Sequence, residues 1–239
     1  MSTSKRLDYI LVHAGLGSRK EVKNLVKYSV ILVNDKQVKD PSIHITEDDC
    51  ITIDGKIISF KKNYYFMMNK PSGVISATFD PKEKTVIDLL TDIDQKKNLF
   101  PVGRLDKDTE GLIFLTTDGK LAHELLSPNQ LKVKVYHAII SVNIVQEDIE
   151  SFRKGITLDD GFKTAPANLE IIENNSMFAK ISITEGKFHQ IKRMFLALGK
   201  EVTYLKRISI DSLILDESLK LGEYRELTTY EVSQLKGFE

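Results

Sequence analysis

Hydrophobic residues recur along the chain in two rhythms. Leu7, Ile10, Leu11 and Ala14 fall at helical spacing and stop at Gly15. Val22, Leu25 and Val26 form a second stripe, opened by Ser18 and Glu21 in the spacing of a capping box. Short apolar strands then follow at Val30–Val33 and Ile51–Ile53, with a turn at Asn34-Asp35-Lys36 and another at Asp54-Gly55. From Tyr64 onward strands dominate. Phe66–Asn69 is stopped by Lys70-Pro71-Ser72-Gly73, Leu112–Thr116 precedes Asp118-Gly119, and 133–139 alternates with period two. Leu169–Ile172 and Phe178–Thr184 flank Glu173–Ser176 as a hairpin. Helices are predicted from Thr85 through Leu90, around Leu121, Leu125 and Leu126 as far as Ser127-Pro128, and from Thr228 with Glu231 as its capping partner. A further helix would bury Phe188, Ile191, Phe195 and Leu198 and end at Gly199. Strands in runs with irregularly interspersed helices predict an α+β fold with a mixed, largely antiparallel sheet. Lys61-Lys62-Asn63 reads as a linker, giving a small domain over 1–60 and a larger one over 61–239.

Composition changes this picture little. The chain has 239 residues, 41% hydrophobic and 28% charged, enough for one good core and a satellite. The single Cys50 rules out an internal disulfide and suits a reducing compartment. No apolar run nears the roughly 20 residues of a membrane span, so a cytoplasmic protein without membrane partners is expected. Charge is more informative. Basic and acidic residues balance at 34 each, yet residues 1–39 hold eight basic and three acidic side chains, and 186–207 hold six and one. Segregated positive patches can bind a polyanion although the total cancels.

Candidate chemistry centres on Gly103-Arg104-Leu105-Asp106-Lys107-Asp108-Thr109-Glu110-Gly111-Leu112. An arginine and an aspartate two residues apart, between glycines and before an apolar strand, set a carboxylate at a fixed height. A generic Arg-x-Asp would be a solvated loop. Tyr136 shares a strand face with Lys132 and Lys134, which reads as the wall of a basic cleft and not as a core face. In Glu185–Met194, helical spacing would put His189, Lys192 and Arg193 on one face, where they would attract a carboxylate or phosphate. A lone histidine there more often makes one structural hydrogen bond. No Cys/His cluster and no phosphate-cradling glycine loop is present, so neither a metal nor a nucleotide cofactor is expected.

The ten-residue string resembles the catalytic motif of the RsuA-type pseudouridine synthases. Arg6-Leu7-Asp8-Tyr9, Gly15–Arg19 and Val33-Asn34 resemble the S4 RNA-binding domain over about residues 5–58, departing from it at Ser29 and Asp35. The resemblance implies Asp106 as the catalytic carboxylate and Tyr136, of Lys134-Val135-Tyr136, against the target uracil. It implies Lys192 as the cation paired with Asp106, with Lys187 as second candidate, where the family often has arginine. It also implies Arg104 in the space vacated by an extruded base, and Arg6, Arg19, Lys20, Lys23, Lys134, Lys187 and Arg193 as RNA contacts. An ammonium beside Asp106 favours its charged form. The implied reaction turns a uridine of ribosomal RNA into pseudouridine, with no cofactor and with the chain acting as a monomer. Pro101–Gly111 with Leu121-Ala122-His123 and Leu126-Ser127-Pro128 looks most like the branch acting on small-subunit RNA, naked or in an assembling particle. Two other readings remain: a glycosidase-like hydrolase pairing Asp106 with Asp108 or Glu110, and a non-enzymatic RNA-binding assembly factor.

Overall fold

The structure, a computed structural model, describes residues 4–46, 49–58, 63–91, 98–127, 130–172 and 175–237. The chain divides into two compact units, Met1–Asn63 and Tyr64–Glu239. Lys61 and Lys62 of the expected linker, Pro128, and Glu173-Asn174 of the expected hairpin turn lie outside the described residues.

The first unit comprises β1 (Lys5–Arg6), α1 (Leu7–His13), α2 (Arg19–Tyr28), β2 (Ile31–Val33), β3 (Lys36–Gln37), β4 (His44–Ile45), β5 (Ile51–Ile53) and β6 (Lys56–Ile58). The capping box forms: the Ser18 hydroxyl accepts from Glu21 N, and Ser18 N donates to the Glu21 carboxylate at 2.7 Å. Val22 and Val26 then turn inward onto Leu7, Ile10 and Leu11, and Ile31, Ile51 and Ile53 close the core beneath them. Asn34 and Asp35 take positive φ values of 50° and 62°, which lets the β2–β3 turn reverse in two residues.

The second unit carries β7 (Tyr65–Lys70), β8 (Phe100–Val102), β9 (Glu110–Thr116), α3 (Gly119–Leu126), β10 (Lys134–Ile140), α4 (Gln146–Lys154), β11 (Asn168–Ile171), β12 (Phe178–Ile183), α5 (Gln190–Ala197), β13 (Val202–Ile210), β14 (Leu213–Ile214), β15 (Tyr224–Glu226) and α6 (Thr229–Leu235). Its strands pair in the order β11-β12-β10-β13-β9-β7-β15, all antiparallel except β13 with β9. This is the expected mixed, largely antiparallel sheet. The β11–β12 pairing and the Thr228–Glu231 capping box also form as expected, whereas 85–90 yields only a 3₁₀ turn at Ile87–Leu89. Helices α4 and α5 cover one stretch of sheet, where Phe152 and Phe195 pack with ring centroids 4.9 Å apart. Helix α3 covers another through Leu121, Ala122 and Leu125.

The parallel contact depends on one glycine. Gly111 has φ +99°, and a Cβ there would lie 2.7 Å from Arg207 N and closer still to the Arg207 carbonyl oxygen. Both the backbone conformation and the close strand approach exclude a side chain. Gly111→Ala is therefore expected to cost about 3 kcal/mol or more in urea unfolding, by forcing β9 off β13. A loss under about 1 kcal/mol would show that the sheet absorbs the methyl group.

Two expectations are corrected. On β10 the face carrying Tyr136 is a core face: Tyr136, Ala138 and Ile140 are buried with Leu105, Ile181 and Phe152. Lys134 and Tyr136 still border the cleft, while the strand beyond them runs under α4 and α5. Lys132 precedes the strand and pairs with Asp211 at 2.6 Å. The second correction concerns α5, which begins at Gln190. Phe188 stays outside it, 73% exposed, while Ile191, Met194 and Phe195 form the buried stripe. Gln190 is the cause. Its Oε1 accepts from Lys187 N at 2.8 Å and its Nε2 donates to Glu185 Oε1 at 2.7 Å, which winds 185–189 into a loop. His189 sits in the left-handed region at φ 50°, stacked on Phe188.

Candidate active site

The segment 103–109 joins β8 to β9 and is fixed from several sides. Gly103, at φ +78°, turns the chain out of β8. Leu105 N donates to the Ser76 hydroxyl at 3.0 Å, and Ser76 donates back to Leu105 O at 3.1 Å. Gly73 N donates to Lys107 O at 2.8 Å. Beneath the loop lies Lys70, a fully buried lysine. Its Nζ donates to the carbonyl oxygens of Thr109 (2.8 Å), Pro71 (3.0 Å), Asp106 (3.1 Å) and Lys107 (3.2 Å). One cation thereby ties Asp106 and the backbone that follows it to the Pro71 turn.

The Asp106 carboxylate, 24% exposed, faces α5. Lys192 Nζ lies 3.2 Å from its Oδ2 and 2.5 Å from Asp108 Oδ1, bridging the two carboxylates. His189 Nε2 stands 3.6 Å from Asp106 Oδ1. The hydrogen bond from Lys192 holds the Asp108 carboxyl below its ordinary range. Of the two lysines considered for this contact, Lys192 makes it; Lys187 Nζ lies instead 4.8 Å from the Phe162 ring centroid. His189, Lys192 and Arg193 do not share a face. His189 is outside the helix, and Arg193, about 100° round from Lys192, is taken up by Asp159 and Asp160.

Tyr136 lies at the junction of two hollows. The smaller, about 70 Å³, is bounded by Asp106, Arg104, Tyr136, Ile183, His189 and Lys187. The larger, about 410 Å³, shares Arg104, Tyr136, Gly186 and Lys187 with it. In the first unit, Arg6, Arg19, Lys20 and Lys23 come together with Asp8 and Tyr9 around a concavity of about 580 Å³, with Arg6 held by Asp8 at 2.8 Å. The residues selected as RNA contacts thus cluster in both units, with Arg193 engaged elsewhere.

Three residues escaped the sequence reading. Lys70-Pro71-Ser72-Gly73 reads in the sequence only as the stop of a strand, yet Lys70 organises the loop of Asp106; a lysine closing an apolar strand, just before proline, was the available signal. Gln190 and Arg207 carried none. Burial lowers the Lys70 ammonium to about 8, against a partial counter-effect from Asp108, Asp106 and Glu110. Its folded value being depressed, the unfolded chain binds more protons between about 8 and 10.5. Lys70 therefore costs stability at neutral pH, and that cost fades as pH rises through the window. Urea melts of wild type and Lys70→Met should show wild type gaining on the variant between pH 7 and pH 10. An unchanged difference would show that Lys70 titrates alike in both states.

A loop-borne carboxylate, bridged by a lysine and sharing a basic cleft with Tyr136, is an arrangement suited to an enzyme. Comparison with known proteins gives the family. The RNA pseudouridylate synthase profile matches residues 64–197, and the S4 domain profile residues 5–51. The chain is 46% identical to the RNA pseudouridine synthase YtzG of Bacillus subtilis, across 96% of this chain and 98% of that protein. It is 37% identical to ribosomal large subunit pseudouridine synthase B of Bacillus subtilis, covering 97% and 96%. It is equally 37% identical to ribosomal small subunit pseudouridine synthase A of Vibrio cholerae, covering 96% and 99%. A crystal structure of a pseudouridylate synthase superposes with a TM-score of 0.69 at 33% identity, over 96% of this chain and 99% of that one. The chain belongs to the RNA pseudouridylate synthase family, in its S4-bearing, RsuA-type branch, and is an isomerase.

Proposed function

We propose that this enzyme converts a specific uridine of ribosomal RNA to pseudouridine in the cytoplasm, acting as a monomer, with Asp106 as the catalytic carboxylate. The observation carrying this reading is the Lys192 bridge at 3.2 Å to an Asp106 already fixed in height by Lys70. Isomerisation breaks the bond from uracil N1 to the ribose anomeric carbon and forms one from uracil C5. The C5 hydrogen leaves as a proton and N1 gains one. No redox change occurs. The carboxylate attacks an electrophilic carbon or stabilises the cationic sugar, and Lys192, 3.2 Å away, aims it. Uridine must leave its stack, at a cost of a few kcal/mol. Arg104, exposed on the loop, fills the space it leaves. Tyr136 stacks on the extruded base, worth roughly 1–3 kcal/mol.

Small-subunit RNA is the proposed target, supported by the extended motif through Leu121-Ala122-His123. Relatives named for either subunit stand at equal identity. Incubating the purified protein with unmodified small- and large-subunit transcripts, then mapping pseudouridine by sequencing, decides this. One new site in the small-subunit RNA is expected. A site in the large-subunit RNA overturns the choice of target, and free uracil in place of pseudouridine would favour a hydrolase.

Lys192→Met should lower kcat by about 10- to 100-fold, the scale for losing one charged partner at a reacting centre, with KM for RNA changed little. Lys192→Arg should restore most of it. Equal kcat in all three proteins would remove Lys192 from the site.

A further inference from the structure

The larger hollow beside the active loop holds an unusual excess of uncompensated positive charge. Arg104, Lys134, Lys187 and Arg207 all line it. Among the described residues none of the four forms an ion pair with a carboxylate, whereas Lys132, at the same rim, is neutralised by Asp211. Glu185 also lines the hollow and offsets part of this charge, leaving four cations to one carboxylate; that carboxylate is held by Ala165 N at 2.8 Å and Gln190 Nε2 at 2.7 Å. Arg207 is 2% exposed; its Nε donates to Leu112 O at 2.9 Å, and its Nη2 has no hydrogen-bond partner among the described residues. Lys134 is half-buried, its Nζ no nearer than 3.4 Å to the carbonyl oxygens of Lys132 and Glu185.

Burying cations without a counter-charge is costly, and neighbouring like charges add to the cost. Burial first, and Arg207 second, push the Lys134 ammonium below its ordinary value, against a partial counter-effect from Glu185. An arrangement of this kind is relieved by an anion that arrives with the substrate. Much of the remaining lining is apolar, with Phe114, Leu125, Ile210 and Leu213 forming one wall, its floor. A volume of about 410 Å³ is within the range of small-molecule sites and far larger than the niche at Asp106.

We infer that this hollow is a second nucleotide subsite, in which Lys134 and Lys187, backed by Arg207, hold the phosphodiester next to the target uridine while the neighbouring base lies on the apolar floor. The inference rests on the proposed RNA substrate and deepens it. Seating two adjacent nucleotides, one on each side of Tyr136, would keep the uridine extruded and in register with Asp106.

The test uses the full chain, unmodified ribosomal transcripts and, once the uridine is mapped, a short RNA bearing it. Lys134→Met should weaken RNA binding roughly tenfold and lower the slope of log affinity against log salt by about one. Lys134→Arg, which keeps the charge, should bind as wild type and serves as the folding control. A neutral methylphosphonate at the adjacent linkage should weaken wild-type binding by a similar factor but cost Lys134→Met little. Equal losses for both proteins, or a folded Lys134→Met with wild-type affinity and salt slope, would overturn the subsite while leaving the activity standing. Inorganic phosphate that stabilises wild type but not Lys134→Met, with RNA binding and salt slope alike in the two, would reassign the hollow to a free anion. Absence of any pseudouridine from wild type would instead sink the functional reading itself, and the subsite with it.

Discussion

Asp106→Asn is expected to lower pseudouridine formation by at least about 10⁴-fold, a loss of more than about 5 kcal/mol of transition-state stabilisation, while RNA binds within about threefold of wild type. The amide keeps the shape of the side chain, so neither the loop nor the fold need change. What disappears is the negative charge. Without it no oxygen can attack the substrate or balance a cationic sugar, and the Lys192 ammonium is left facing a neutral amide at the 3.2 Å contact. Affinity should persist because the basic side chains of both units remain in place. Comparing single-turnover rates with filter-binding affinities separates the two effects. A variant that binds a tenth as well and reacts in proportion would mean that Asp106 acts in binding.

Lys70→Met is expected to lower kcat by about 10²- to 10³-fold with little change in KM. Its ammonium serves four carbonyl oxygens, those of Pro71, Asp106, Lys107 and Thr109, and touches no substrate. It is a positioning residue. Methionine fills the volume but leaves those oxygens without their donor in a dry site, so the loop must reorganise to find other partners. A displacement of about 1 Å at a reacting group can cost on the order of 10²-fold. Amide exchange over 103–109 should quicken in the variant, a change that simple loss of a charge would not produce. Wild-type kcat with unaltered exchange would show that the loop holds itself.

The contrast between Asp106 and Lys70 shows what the sequence could convey. The loop that carries Asp106 was legible because its signal is local: a stretch between glycines, ahead of an apolar strand. The helices of the first unit were legible for the same reason, since Ser18 and Glu21 act within one turn. Lys70 acts on carbonyl oxygens more than thirty residues away, and only the pairing of β7 with β9 brings it beneath the loop. The face of Tyr136 was misjudged because two lysines at one end of β10 say nothing of the helices that cover its other end. Phe188 was misplaced because the 3.6-residue period ignores a glutamine that winds the preceding residues into a loop. Arg207 became visible only where β13 meets β9 in parallel, a pairing that Gly111 permits and no local pattern announces.

If Asp106 exchanges one bond of an extruded uridine for another, the C5 hydrogen reports that exchange directly. Ribosomal transcripts labelled with tritium at uracil C5 should release one tritium per RNA molecule to water with wild-type protein, and none above background with Asp106→Asn. Release at the wild-type rate from the asparagine variant would contradict the account.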